Sequence, residues 1–256
     1  MKLLSVVIAH DRLELTRRTV ASYLATVTVP HLLVVIDNAS TDGTADWLRD
    51  LDRGNEAESL VVLPFDVNAY PGVACNNGWR LGLDLGFDPT VLHRSDNDVE
   101  YQPGWCDEVE ACFDAFPDLG QLGLLDMHDE GLMPVTKCRD GVTINVAWPN
   151  VGGNCVIRRE LWDAGLRFDE RTWPEFQGRE TRHSMPNEDA IMSEHVVRMG
   201  WRHAHVTSRI AVHLGHDWEQ YPDYYSRTAV ERGFTPDQLK QHFDTCERRR
   251  KTAASA

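Results

Sequence analysis

The chain of 256 residues carries a formal charge of −14, with 26 lysines and arginines against 40 aspartates and glutamates. That acidity excludes nonspecific attraction to a phosphate backbone, which needs clustered basic side chains that release counterions, and the length suits a single α/β unit. No apolar run approaches the ~18 residues needed to span a bilayer, so a cytoplasmic protein without a transmembrane segment is expected.

Val6 to Ala9 reads as a first strand, and Leu13 to Ala25 carries apolar residues at helical spacing. Leu32 to Ile36 is a second strand with no polar interruption, as expected where both faces are covered. Asp37 to Thr44 follows as a turn in which Ser40 or Thr41 stands to cap a helix running to about Leu51. A strand at Leu60 to Leu63, a helix at Gly72 to Leu85, a strand at Val91 to His93 and a helix at Trp105 to Phe116 continue the alternation that builds a mainly parallel sheet. The strand ends lead to Asp37, Asn68 and Asp96, and open α/β sheets bind ligands outside such ends.

After Gly120 the pattern changes. Strand-like runs at Leu122 to Leu125, Val142 to Ala147 and Cys155 to Ile157 lie among glycines and prolines, with a short helix starting near Arg159. Trp173 to Pro186 reads as a long loop whose Trp173, Phe176, Arg179 and Arg182 suit either a cover over a bound ligand, with aromatic faces for stacking and arginine forks for anions, or a rigid loop packed on the core. Asn187 is placed to cap a helix from Glu188 to Met199, Val206 to Val212 forms a last strand before His213, and a helix from Pro236 to about Arg249 leads into a frayed basic tail. Six cysteines without a C-x-x-C pair point to buried reduced thiols rather than disulfides or a zinc site.

Asp96 and Asp98, one residue apart at a strand end, suit a hard divalent cation, whose oxygen ligands must be anionic and convergent. Asp37 ends another parallel strand and is expected on the same rim. No G-x-G-x-x-G follows Ile8, which disfavours a dinucleotide-dependent oxidoreductase, and no glycine-rich phosphate loop bearing Lys or Arg supports a nucleotidyltransferase.

Five motifs in order resemble the family 2 glycosyltransferases of GT-A fold. Ser5-Val6-Val7-Ile8 with Arg12 looks like the opening strand and turn; Val35-Ile36-Asp37-Asn38-Ala39-Ser40-Thr41-Asp42-Gly43-Thr44 is similar to V-D-D/N-x-S-T-D-G-T; and Asp96-Asn97-Asp98 stands at the D-x-D. Gly152-Gly153-Asn154 through Arg158-Arg159, with Gly165 and Phe168-Asp169-Glu170, resembles G-G-N-x-x-x-R-R and G-x-F-D-E; Glu188-Asp189 before Gly200-Trp201 resembles the E-D and G-W pairs. In the third helix Asn68 and Asn76 keep the family spacing, while Tyr70 replaces a glycine and Cys75 an arginine.

The resemblance implies a Rossmann-like, mainly parallel sheet with flanking helices and a smaller mixed acceptor-side region. Residues 1–220 would form the GT-A domain, with a nucleotide-binding half over 1–118 and an acceptor-binding half over 119–220, and residues 221–256 a helical extension with the basic tail. It implies an inverting hexosyl- or deoxyhexosyltransferase that uses a UDP-, TDP- or GDP-sugar, Mn²⁺ or Mg²⁺, and a hydroxyl acceptor. A catalytically silent nucleotide-sugar binding domain, or a nucleotidyltransferase, is the alternative. Nucleotide contacts would come from Ala9, Arg12, Asp37, Asn38, Asn68, Asn76, Asp96 and Asn97, with Asp37 and Asn38 at the base. Asp98 would ligate the metal, Asp96 would meet the ribose or a metal-bound water, and one of His213 and His216, with His213 favoured, would complete the site. Asp189 would act as base on the acceptor hydroxyl, with Glu188 orienting it or the helix.

Overall fold

The computed structural model describes residues 1–54, 59–125, 135–146, 151–171, 188–241 and 243–244. Strand β1 (Leu3–Ala9) is buried along its whole length, because its alternating side chains feed two cores. Leu3 and Val7 join Tyr23 of helix α1 (Leu13–Thr26) in a core that also holds Trp105 and Val109, whereas Leu4, Val6 and Ile8 pack with Ala74 and Trp79 of α3 (Tyr70–Asp84). Burying each such aliphatic side chain contributes about 1.5–3 kcal/mol, which explains why the run carries no polar break except Ser5.

Strands β2 (His31–Asn38) and β3 (Leu60–Phe65) extend the parallel sheet on one side of β1, with α2 (Thr44–Arg53) crossing between them. Strand β4 (Val91–Asp96) pairs with the other side of β1. The chain therefore reverses its direction of sheet growth between β1 and β4, and the crevice beyond the C-terminal ends of these two strands is the switch point where α/β sheets take ligands.

Strand β5 (Val99–Tyr101), helix α4 (Trp105–Ala115), β6 (Leu119–Gly123), β7 (Val135–Arg139), β8 (Val142–Val146), β9 (Cys155–Arg158) and α5 (Arg159–Asp163) follow. After them come α6 (Glu188–Arg198), β10 (Arg202–Val206), β11 (Ala211–His213) and α7 (Pro222–Glu231). The main sheet has nine strands in the order β3-β2-β1-β4-β9-β6-β10-β8-β7, and β9 runs antiparallel between β4 and β6. No helix among the described residues is long and apolar enough to cross a membrane.

Several sequence expectations are corrected. The single strand expected over Val206 to Val212 is two: β10 ends at Val206, and β11 leaves the main sheet to pair with β5 in a separate ribbon. Neither Ser40 nor Thr41 caps α2. Gly43 at φ 92° precedes it, Asp42 Oδ1 accepts the Thr44 amide, and Ser40 and Thr41 instead bond Asp11 in the β1–α1 loop. Cys138 is exposed, unlike the other described cysteines, which are buried free thiols. Among the described residues beyond 220, α7 packs over the β1–α1 loop, with Arg227 ion-paired to Asp11 and the Arg12 guanidinium 4.4 Å above the Tyr224 ring. The loop Trp173 to Pro186, Asn187 and the basic tail lie outside the described residues, and of the closing helix only 236–241, 243 and 244 are described as helical.

Candidate active site

Parallel register fixes the rim. Ala9 stands opposite Asp37 across β1 and β2, and Ile8 stands opposite Asp96 across β1 and β4. Since neighbouring strands are roughly 4.8 Å apart, Asp37 and Asp96 flank the end of β1 about 10 Å from one another. The backbone here is strained: Asp11, Arg12, Ala39 and Tyr70 all have φ between 52° and 63°, a region that costs a non-glycine residue roughly 1 kcal/mol or more. Tyr70 keeps this left-handed conformation where the resembled pattern carries glycine.

Beyond β4, Asp98 lies almost wholly buried. Arg12 Nη1 donates to its Oδ2 at 2.7 Å, and His213 Nε2 lies 3.6 Å from the same oxygen. Burial alone would raise this carboxyl's pKa. The Arg12 charge, then His213 and His216, outweigh it and bring the value down to about 2. Asp98 Oδ1 is buried without a hydrogen-bond partner among the described residues, an open lone pair of the kind that a cation satisfies. Carboxylate and imidazole at this spacing suit two donors of one Mn²⁺ or Mg²⁺ ion, although the Gly215 N–H donated to His213 Nδ1 leaves the neutral ring's proton on Nε2, from which an ion must displace it. Among the described residues no three His, Cys, Asp or Glu groups converge as a metal cage. Such an ion would need its remaining ligands from phosphates and water, as is usual for Mg²⁺ beside one or two carboxylates. Asp96, expected beside Asp98 and His213, turns instead to Arg94.

The second acidic group forms around that arginine. Arg94 lies in β4 and is 1% exposed. Its Nη1 donates to Asp189 Oδ1 at 2.5 Å and its Nη2 to Glu188 Oε1 at 3.0 Å, with Asp96 Oδ1 3.4 Å from Nη2. Glu188 and Asp189 open α6, where the helix dipole favours anions. Burial is the main cause that pushes the Asp189 carboxyl up to about 7; Arg94 opposes it, and Glu188 and Asp96 add to it. The Gly-Gly-Asn stretch explains itself here, because a Cβ on Gly153 would lie 2.6 Å from Asp96 Oδ2 and 2.9 Å from Arg94 Nη2.

Other predicted residues divide into rim and brace. Asp37 Oδ1 accepts the Ser40 amide, and Asn38 Nδ2 donates to Asn68 Oδ1 while its Oδ1 accepts the Ala69 amide, so Asn38 and Asn68 form one unit beside Asp37. Asn97 and Asn76, expected at the nucleotide, are buried braces. Asn97 joins Arg12, the Asp11 carbonyl and Thr16, and Asn76 bonds Phe168 and Glu170. Gly72 admits that second contact, since a Cβ there would sit 1.9 Å from the Asp169 carbonyl oxygen. His216 stacks on Phe243 at 4.0 Å, beside His213. His203 and His205 are buried strand residues of β10, in keeping with the sequence. Arg94 and the α7 residues Tyr224 and Arg227 were not singled out from the sequence. The signal for Arg94 is a charge in the alternation slot that follows Leu92, on a strand covered on both faces.

No family model matches the chain. Over 103 residues, 40% of this chain and 40% of the relative, it is 34% identical to an undecaprenyl-phosphate mannosyltransferase of Micrococcus luteus. A solved mannosyltransferase from Pyrobaculum calidifontis, in complex with GDP-Man and Mn²⁺, superposes with a TM-score of 0.62 at 17% identity, over 89% of this chain and 61% of that one. S. aureus TarS 1-349 in complex with UDP-GlcNAc superposes with a TM-score of 0.58 at 16% identity, over 90% of this chain and 66% of that one. The chain spans two fifths of the curated relative's length and under two thirds of either solved chain. Fold and relatives agree: the chain is built on the GT-A glycosyltransferase fold, the one its ordered motifs resemble.

Proposed function

We propose that the chain is an inverting, metal-assisted glycosyltransferase that moves a hexosyl group from a nucleoside diphosphate sugar to an acceptor hydroxyl. Mannose from GDP-mannose is the first donor to test, because two of the relatives are mannosyltransferases. Asp37, with Asn38 held by Asn68, reads the base, and Ala9 and the strained loop through Arg12 lie under the nucleotide. Asp96 bonds the ribose or a metal-bound water. Asp98 and His213 hold Mn²⁺ or Mg²⁺, which when bound supplies Lewis-acid neutralisation of the diphosphate.

Asp189 accepts the proton of the acceptor hydroxyl as that oxygen bonds the anomeric carbon. The bond from that carbon to the diphosphate oxygen breaks, the electron pair departs with the nucleoside diphosphate, and one displacement inverts the centre. Glu188 orients the acceptor or the helix start. One observation carries this reading: the buried Asp98 pair and the Asp189 cluster flank the end of a single strand, β4, at the topological switch point. The test is nucleoside diphosphate release from GDP-mannose, UDP-GlcNAc and a TDP-sugar with manganese, over a panel of hydroxyl acceptors and water. Asp189→Asn should cut release about 10³-fold, within the usual span of general-base contributions, with calorimetric binding of the diphosphate unchanged; retained turnover refutes the base assignment.

A further inference from the structure

Arg94 occupies a position where the strand pattern calls for an apolar side chain. Its neighbours in register are Val6 on β1 and Cys155 on β9, and its guanidinium carbon lies 4.7 Å from the centre of the Phe168 ring. A guanidinium so buried is costly unless its charge and its donors are matched. Here the match comes from two consecutive acids of a different element, one on each terminal nitrogen, while Nε has no hydrogen-bond partner among the described residues. A core arginine kept for packing alone would have no need to reach the first turn of α6. The fork spans Asp189 and Glu188, a pairing that one ammonium point charge does not reproduce.

We propose that Arg94 is a positioning residue for transfer: it locks the Asp189 carboxylate by Oδ1, presents the second oxygen to the acceptor hydroxyl, and keys helix α6 to the strand that carries Asp96. The proposal deepens the proposed function and rests on its reading of Asp189 as the base. Arg94 touches neither donor nor acceptor, being 1% exposed, so its effect runs through the placement of Asp189. Misplacement of a reacting group by about 1 Å can cost on the order of 100-fold in rate.

The experiment compares Arg94→Met, Arg94→Lys and Asp189→Asn in the full chain by the same nucleoside diphosphate release assay, with binding of the diphosphate followed by calorimetry. Arg94→Met should lose about 100-fold in kcat while KM for the sugar nucleotide stays within about threefold, and Arg94→Lys should recover roughly tenfold of that loss. A methionine variant that binds nucleotide and turns over at the wild-type kcat, while Asp189→Asn is inactive, overturns the positioning role and leaves the base assignment standing. Loss of nucleotide affinity in step with kcat, with lysine no better than methionine, also overturns it, since that is the signature of general damage to the core. If the methionine variant does not fold, the lysine variant decides alone: lowered kcat at unchanged KM supports the role, and wild-type kcat overturns it. An active Asp189→Asn enzyme removes the base assignment and this proposal together.

Discussion

Two aspartates on the same rim, each nearly buried and each paired with one arginine, are driven in opposite directions. Asp98 shares Arg12 with no second acid among the described residues and has two imidazoles nearby, and its pKa falls to about 2. Asp189 shares Arg94 with Glu188 and Asp96, and its pKa climbs to about 7. Burial acts alike on both, so the ratio of positive to negative neighbours sets the outcome. One carboxylate is kept anionic at neutral pH, which suits the cation ligand proposed for it; the other titrates near neutral pH, which suits the general base proposed for it.

The sharpest way to break this contrast is the pH profile. Asp189 must lose its proton to act, so kcat should fall about tenfold per unit below pH 7, or on the order of 100-fold by pH 5. A rate that is flat from pH 5 to 8 would remove the tuned carboxyl from the mechanism. On the other side of the rim, Asp98→Ala should weaken manganese-dependent binding of the nucleoside diphosphate, by about 10–100-fold, while barely changing binding measured with chelator. Calorimetry with and without manganese separates the two, and an equal loss in both conditions would make Asp98 a brace for Arg12 rather than a ligand.

Stability should register the same opposition. A carboxyl whose folded pKa is depressed stabilises the fold above its unfolded value, so Asp98 contributes above about pH 4, and that contribution is lost as pH falls toward 2. Asp189 has the reverse sign. Its folded form keeps a proton that the unfolded chain has released, so its contribution declines as pH rises from about 4 to 7 and is flat beyond. Melting temperatures of wild type and Asp189→Asn, compared at pH 5 and pH 8, should therefore shift against wild type at the higher pH. An unchanged difference would mean that Asp189 is already ionised at pH 5.

The two clusters also differ in how far the sequence reveals them. Strands β1 and β2 are legible because parallel strands covered on both faces become continuous apolar runs, β3 and β4 show as shorter apolar starts, and the ends of β2 and β4 name Asp37 and Asp96 directly. The acidic partners at 98, 188 and 189 stand out as motifs. Their cations do not. Arg12 was expected to meet the nucleotide, yet its guanidinium bonds Asp98 and Asn97. Arg94 is only a break in alternation, and nothing local says which acids, 94 and 95 positions away, will meet it. The β5–β11 ribbon is equally hidden, since strands of three residues carry no measurable period, and the antiparallel entry of β9 between β4 and β6 is decided by tertiary packing.

The smallest expected effect concerns the lid that α7 makes over the Arg12 side of the rim. Arg227 pairs with buried Asp11, but the arginine side chain is 49% exposed, so the bridge is screened by solvent and contributes at most about 1 kcal/mol. Asp11 does not depend on it, because its Oδ1 already accepts from the Thr41 amide and hydroxyl. Arg227→Ala should thus cost no more than a few degrees in melting temperature and leave the Asp189-side pH profile intact. If instead it shifted that profile, the two carboxylate clusters would be coupled through the β1–α1 loop, and the independence on which their opposite tuning is argued would fail.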